Sequence, residues 1–430
     1  MKTAGVWILA TILLTGSSGA QVVKAGRVLD VRSGTYLRDA VIRIEDGRIT
    51  EIEEGGTVDG DEVIDLGGHT VVPGLIDAHV HLCSNVYLGE EWDWNWWSFP
   101  APMFGVVGGV NAEKLLDAGF TTVRHVGDHY YCGTSLRDAI ERQWIRGPRV
   151  LASGPYVTMT GGHGAPGNWL APQHELIQRF AIADGVDEVR REVRTQLKHG
   201  VDVIKITVTG GFGTFGTVPG AATYTEEEIR AAVEEAAKRG KFVAAHAHGP
   251  DGIRNAVEAG VRSIEHGFLM DDASIELMAE RGTYLVADLL AAHYALIETE
   301  RDLSHKGISG QHAETYRDYA ERVARAHQKG VALAFGTDSS IFPHGRNAEQ
   351  FALMVDADLA PLDALRSATL VAAELLGIGD ETGSLEVGKW ADLIAVEGDP
   401  LADVSTLEEV EFVMRAGVVH KPIQGPRTVP

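Results

Sequence analysis

The chain has 430 residues with 44% apolar and 7% aromatic side chains, enough for one large domain or two ordinary ones with a full core. Lys plus Arg number 38 against 61 Asp plus Glu, a net charge of −23. That balance excludes a nucleic-acid partner held by a basic surface and favours solubility; it says nothing about fold.

The first twenty residues read as an export address. Lys2 supplies a positive start, Val6 to Leu14 (VWILATILL) is an apolar run too short to span a bilayer, and Ser18-x-Ala20 is a small-residue cleavage pattern. A cleaved signal peptide over 1–20 is preferred to an uncleaved anchor, because no stop-transfer pattern follows. The mature protein is then expected in the periplasm or the medium, with no membrane attachment. From about Val22 to Val72 apolar and polar residues alternate between DG and GG turns, as in half-buried strands. The same texture returns near the C-terminus in GSLEVGKWADLIAVEGDP and EEVEFVMRAGVVHK. Residues 21–72 and 380–430 are expected to form one small β-sandwich domain built from both termini.

Between them a unit repeats: a helical stretch ends in Gly and an apolar strand follows at once. It appears as KLLDAGFTTVRHV, TQLKHGVDVIKITV, EAAKRGKFVAAHAH, NAVEAGVRSIEHG, LMAERGTYLVADLL and RAHQKGVALAFGTD. Gly just past a helix is the expected stop signal. Before the third unit, Thr225-x-x-Glu228 predicts a capping box, with Ile229, Val233 and Ala236 on one face. TVVPGLIDAHVHL and PRVLASGPYV add two strands. Eight strands alternating with helices over 73–379 predict an α/β fold, a (β/α)8 TIM barrel.

Chemistry in such barrels sits at the C-terminal strand ends. Strand one ends in His79-Val80-His81, strand five in His246-Ala247-His248, strand six in Glu265-His266 and strand eight in Thr337-Asp338. Any one of these histidines is ordinarily structural, but together they are metal ligands of the kind zinc takes, in an open site without cysteine. Strand four carries Lys205 inside DVIKITV, where an ammonium is out of place: a buried cation is costly unless paired, and it repels a metal. A carbamate formed from carbon dioxide and the neutral amine resolves the conflict, because it is an anion able to bridge two ions about 3.5–4 Å apart that hold a hydroxide between them.

PGLIDAHVHL, DVIKITVTGG, AHAHG, SIEHG and GTDS occur in an order that closely resembles the metal-dependent amidohydrolase superfamily. The branch is similar to the imidazolonepropionase-like group, which includes zinc-dependent Xaa-Pro and Xaa-Arg/Lys dipeptidases and lies near amidohydrolases that cleave ochratoxin A. The resemblance covers nearly the whole mature chain. It implies that His79 and His81 bind the more buried of two Zn2+ (or other divalent) ions, that N6-carboxylysine at Lys205 bridges, and that His246 and His266 bind the second. Asp338 binds the first ion, takes a proton from the bridging hydroxide and delivers it to the leaving amine. His163, in the Gly-rich TMTGGHG, polarises the scissile carbonyl or stabilises the oxyanion, unless it is a solvent-facing loop residue. Tyr224, in AATYTEEE, donates to a substrate carboxylate, unless it is core packing.

The expected activity is hydrolysis of a peptide-like amide beside a free carboxylate, in a dipeptide or N-acyl amino acid including ochratoxin-like aromatic amides. The alternative is a cyclic amide or a lactone on the same metals. The expected assembly is a homo-oligomer. His125 stands where the resemblance would put an acidic residue, and His248 is a candidate neighbour of the ligands. The run EEWDWNWWSFP (Glu90 to Pro100) walls a substrate pocket or forms a subunit interface, and Cys83 and Cys132 are a disulfide or two buried thiols.

Overall fold

The computed structural model describes residues 20–57, 62–85, 99–165, 167–168, 181–299 and 312–423. Residues 1–19 of the expected signal peptide and the tryptophans Trp92, Trp94, Trp96 and Trp97 lie outside the described residues. Among those described, no helix is long and apolar enough to cross a membrane.

Strands from both ends of the chain share one sheet. β1 (Gln21–Asp30), β2 (Thr35–Glu45), β3 (Arg48–Glu54) and β4 (Glu62–Pro73) meet β12 (Leu393–Val396), β13 (Val410–Arg415) and β14 (Val418–Lys421) in the order β14-β13-β12-β4-β1-β2-β3. β4 is the junction: it runs parallel to β1 on one side and antiparallel to β12 on the other, with Val72 opposite Ile394. Period-two alternation then sends neighbours to opposite cores. Val71, Leu393 and Ala395 join a small cluster with Ile42 and Phe412, whereas Val72, Ile394 and Val396 join the main core. The seven strands form one hydrogen-bonded ladder in which β4 pairs with both termini, and its two halves, β1–β3 and β12–β13, share the small cluster.

The middle of the chain forms two parallel sheets. One has β5 (Leu75–Val80), β6 (Phe120–His125) and β7 (Arg149–Ala152); the other has β8 (Val203–Thr207), β9 (Phe242–Ala247), β10 (Ser263–His266) and β11 (Tyr284–Val286). Helices cover them, so β5, β6, β8 and β10 are buried along their whole length, as apolar parallel strands are. The Gly that closes each of the six helix–strand units has φ between 63° and 91°, the left-handed conformation that a helix stop requires.

The expected eighth strand is irregular. Val331–Asp338 makes isolated bridges, Leu333 to Leu285 and, just beyond it, Ser339 to Val80, and a continuous eight-stranded ladder is not formed among the described residues. Close approach to β5 explains this. The backbone at Gly336 passes so near His79 that a Cβ there would lie 2.8 Å from the His79 Cβ and 2.2 Å from Val286 Cγ1. Two residues on, Asp338 takes a φ of 55°.

The helix Glu226–Ala237 starts as its sequence requires. Thr225 Oγ1 accepts from the Glu228 N–H, and the Glu228 carboxylate accepts from the Thr225 N–H; Ile229 and Ala236 are buried and Val233 packs beside them. Thr225→Ala is expected to destabilise the protein by about 1 kcal/mol. The check is the urea unfolding midpoint, and an unmoved midpoint would mean the cap contributes nothing.

Candidate metal centre

β5, β8, β9, β10 and the turn at Asp338 bring His79, His81, Lys205, His246, His266 and Asp338 to one buried region. His79 is 1% exposed, Lys205 2% and His266 6%. His79 near the end of β5 and His81 just past it are two apart, so both rings leave the same face. Their Nε2 atoms converge on one oxygen, Asp338 Oδ1, at 3.7 Å and 3.1 Å. The ligand atoms of His79, His266 and Asp338 all lie within 4.8 Å of one another. The His266 ring is 4.9 Å from that of His79 and 4.6 Å from that of His246.

Each of these four imidazoles has one nitrogen held by an oxygen. His79 Nδ1 lies 2.7 Å from Glu265 Oε2, His81 Nδ1 3.1 Å from the Gly127 carbonyl, His246 Nε2 3.3 Å from the Gly210 carbonyl and His266 Nδ1 3.0 Å from Asp288 Oδ2. An imidazole that donates through one nitrogen presents a lone pair at the other, which fixes the tautomer a metal needs. Burial pushes His79 and His246 well below the ordinary imidazole range, so both are neutral at pH 7. Burial acts on His266 too, but the Asp288 carboxylate overrides it and raises its pKa. Burial alone would raise Asp338, but the His81 hydrogen bond and the surrounding imidazoles hold it below the usual carboxylate range.

The oxygen acceptors are themselves anchored. Arg124, fully buried, forks onto Glu265 at 2.8 and 2.9 Å, and Tyr319 donates to Asp288 at 3.0 Å and lies 2.9 Å from the His266 carbonyl. Both His266 (φ 73°) and Asp338 (φ 55°) have left-handed backbone, a strain typical of functional positions. Lys205 is the exception in this ordered set. Its Nζ is buried with no hydrogen-bond partner among the described residues. Burial pushes its pKa down to about 8; Arg124 adds to that, while Glu265 and Asp338 oppose it. Four oriented imidazoles, a carboxylate and an unpartnered amine suit two divalent ions once the amine carries an anion, and a single ion would leave the amine as a repelling neighbour.

The remaining candidates divide. His163 enters the cluster: its ring stacks on His246 at 4.3 Å and 25°. His248 stands edge-on to His246 at 4.5 Å. Tyr224 does not enter it. Its hydroxyl donates to the Ala183 carbonyl at 2.7 Å, and the ring is core packing ahead of the helix at Glu226. His125 is a latch, accepting from the Leu82 N–H at Nδ1 and bonding Asp128 through Nε2 at 3.0 Å. Cys83 and Cys132 form a disulfide that ties the turn after β5 to the helix Cys132–Glu141. Arg124, Asp288 and Tyr319 were missed from sequence. Arg124 carried a usable signal, being a charge inside an apolar strand like Lys205; Asp288 and Tyr319 carried none.

Imidazoles and a carboxylate converging at the C-terminal ends of parallel strands are the ligand set of a metal-dependent hydrolase. The sequence model described as the Amidohydrolase family matches residues 70–424, and the chain belongs to that family, whose members are generally metal-dependent. Ochratoxinase from Aspergillus niger is 31% identical over 385 residues, covering 83% of this chain and 76% of that protein. A crystal structure of a Xaa-Pro dipeptidase with methionine bound in its active site is similar at TM-score 0.87 and 36% identity, covering 94% of this chain and 100% of that one. Imidazolonepropionase from Symbiobacterium thermophilum is 26% identical over 462 residues, covering 97% of both. The protein is a hydrolase that acts on amide C–N bonds.

Asp288→Asn removes the charged acceptor behind His266. Metal affinity is expected to fall by about 10- to 100-fold. Competition with a chelator measures it, and wild-type affinity in the variant would show that Asp288 does not orient a ligand.

Proposed function

We propose that the protein is a binuclear zinc amidohydrolase that cleaves a peptide-like amide next to a free carboxylate. Dipeptides and N-acyl amino acids are the substrate class, ochratoxin-like aromatic amides among them. The observation that carries the reading is Lys205, a buried amine with no hydrogen-bond partner among the described residues, set beside His79, His246 and His266. With a pKa of about 8, part of the amine is neutral near pH 7. Its nitrogen adds to carbon dioxide, a C–N bond forms, one proton leaves, and the product is the bridging carbamate, N6-carboxylysine.

In this reading His79, His81 and Asp338 hold one ion and His246 and His266 the other. When bound, the ions supply an acidified water and a Lewis acid for the substrate carbonyl. Asp338 accepts the proton released by the attacking water and passes it to the leaving amine. His163, beside His246, donates to the carbonyl oxygen as negative charge grows there. An apolar side chain on the substrate is supported by the wall behind His248, where Phe212 and Phe268 meet at 5.1 Å and Phe212 approaches the His248 ring at 4.8 Å. The methionine held by the dipeptidase relative supports a substrate that yields a free amino acid.

Two further readings belong with this one. The two parallel sheets and Val331–Asp338 are an eight-stranded barrel over 73–379, supported by the bridges Val157–Ile206, Leu285–Leu333 and Val80–Ser339. Export to the periplasm or medium is supported by the disulfide, which persists in oxidising compartments.

Lys205→Ala is expected to lose both ions and the activity, with partial return on adding acetate. Asp338→Asn is expected to lower kcat by about 10²- to 10⁴-fold. Xaa-Phe, Xaa-Pro and N-acyl amino acid substrates are expected to be cleaved about 10- to 100-fold faster than their α-carboxamide analogues, the value of a hydrogen bond to a charge. Full metal content in Lys205→Ala would refute the bridge, and equal rates on acids and carboxamides would refute carboxylate recognition.

A further inference from the structure

Asp338 has a demanding role in the proposed chemistry, yet the segment Val331–Asp338 that carries it is not a regular strand. The neighbouring β5 is irregular at the same level: its register with β6 shifts between Asp77 and Val80. Two main-chain hydrogens at this break turn to one side chain. Asp77 Oδ1 accepts from the His79 N–H at 3.0 Å and from the Thr337 N–H at 3.2 Å. One carboxylate oxygen thereby ties the backbone of one candidate ligand, His79, to the residue preceding another, Asp338.

The second oxygen extends the tie. Asp77 Oδ2 accepts from Thr337 Oγ1 at 2.6 Å and from Asn347 Nδ2 at 2.8 Å. Asn347 Nδ2 has a second hydrogen for Thr337 Oγ1 at 2.9 Å, and its Oδ1 accepts from the Gly345 N–H at 3.2 Å. Asp77, Thr337 and Asn347 are fully buried, where a donor or acceptor that loses its partner is costly. The turn that carries Asn347 also holds the residue before Thr337, because Gln350 Nε2 donates to the Gly336 carbonyl at 3.0 Å. Gly336 and Thr337 are therefore pinned by the chain that follows Asp338, and the Asp338 N–H reaches the His79 carbonyl at 2.8 Å. A non-glycine residue with a φ of 55° persists only where its surroundings over-determine it, and these bonds supply that constraint.

We propose that Asp77 and Asn347 clamp Thr337 so that Asp338 is held against His79 and His81, and that this clamp sets the affinity of the ion those three residues would hold. Asp77 and Asn347 are positioning residues, acting through His79 and Asp338. The inference rests on the division of ligands between two ions given under the proposed function. His246 and His266 belong to β9 and β10, outside the clamp, so its loss weakens one ion and spares the other.

The test loads the purified protein with 113Cd2+ and compares the wild type with Asp77→Asn, Asn347→Ala and the exchange Asp77→Asn/Asn347→Asp. Two 113Cd resonances are expected in the wild type. Asp77→Asn sets an amide N–H against groups that donate, so one resonance is expected to shift while the other holds its place. Chelator competition is expected to show about a 10- to 100-fold loss of affinity for one ion, with the other near its wild-type value. Asn347→Ala is expected to move the same resonance by less, and it reports on the clamp even if Asp77→Asn does not fold. The exchange gives every donor an acceptor again, and it is expected to return the resonance and the affinity to near wild type. Wild-type resonances and affinities in Asp77→Asn and Asn347→Ala would overturn the inference. So would equal loss of both ions with no recovery in the exchange, the mark of a purely structural role. A single resonance in the wild type would overturn the two-ion reading instead; the clamp then stands only if that resonance shifts in Asp77→Asn and returns in the exchange, and falls otherwise.

Discussion

Lys205 Nζ is buried in β8 without a hydrogen-bond partner among the described residues, and the centre is organised around that fact. Burying an unpaired ammonium costs several kilocalories per mole, so such a group is neutralised or converted. The surroundings favour conversion. Burial and the Arg124 guanidinium push the amine toward its neutral form, and burial keeps His79 and His246 beside it neutral as well. On the proposed function, carboxylation would turn the misplaced cation into an anion suited to two metal ions.

The rest of the centre depends on oxygen atoms that touch no metal. Glu265, Asp288 and the carbonyls of Gly127 and Gly210 each hold one nitrogen of a candidate ligand histidine. Arg124 and Tyr319 hold the two carboxylates in turn. These contacts make the site rigid before any ion arrives, so binding energy is not consumed in ordering side chains. The irregular passage through Gly336 to Asp338 is part of the same design: ladder regularity is given up so that the carboxylate reaches His79 and His81.

Local chemistry made much of this readable from the chain alone. Each Gly that ends a helix before an apolar strand has the left-handed backbone its position demands, and Thr225 caps as its spacing with Glu228 requires. The alternation in HVH places both rings on one face. What was not legible depends on distance. Asp288 and Tyr319 lie 31 residues apart on separate elements and meet each other and His266 only in the folded chain. The pairing of Cys83 with Cys132 needs their Cα atoms at 6.4 Å, across 49 residues of chain. Tyr224 looked like a substrate contact because the family resemblance implies a carboxylate-binding tyrosine after the strand of Lys205, yet its hydroxyl turns to Ala183.

The central claim concerns one atom of carbon on one nitrogen. Zinc-loaded protein equilibrated with 13C-bicarbonate and examined by 13C NMR reports it directly. The account predicts one slowly exchanging carbamate carbon per chain, present in the wild type and missing from Lys205→Ala. Protein that holds two zinc ions and full activity with no such carbon would contradict it.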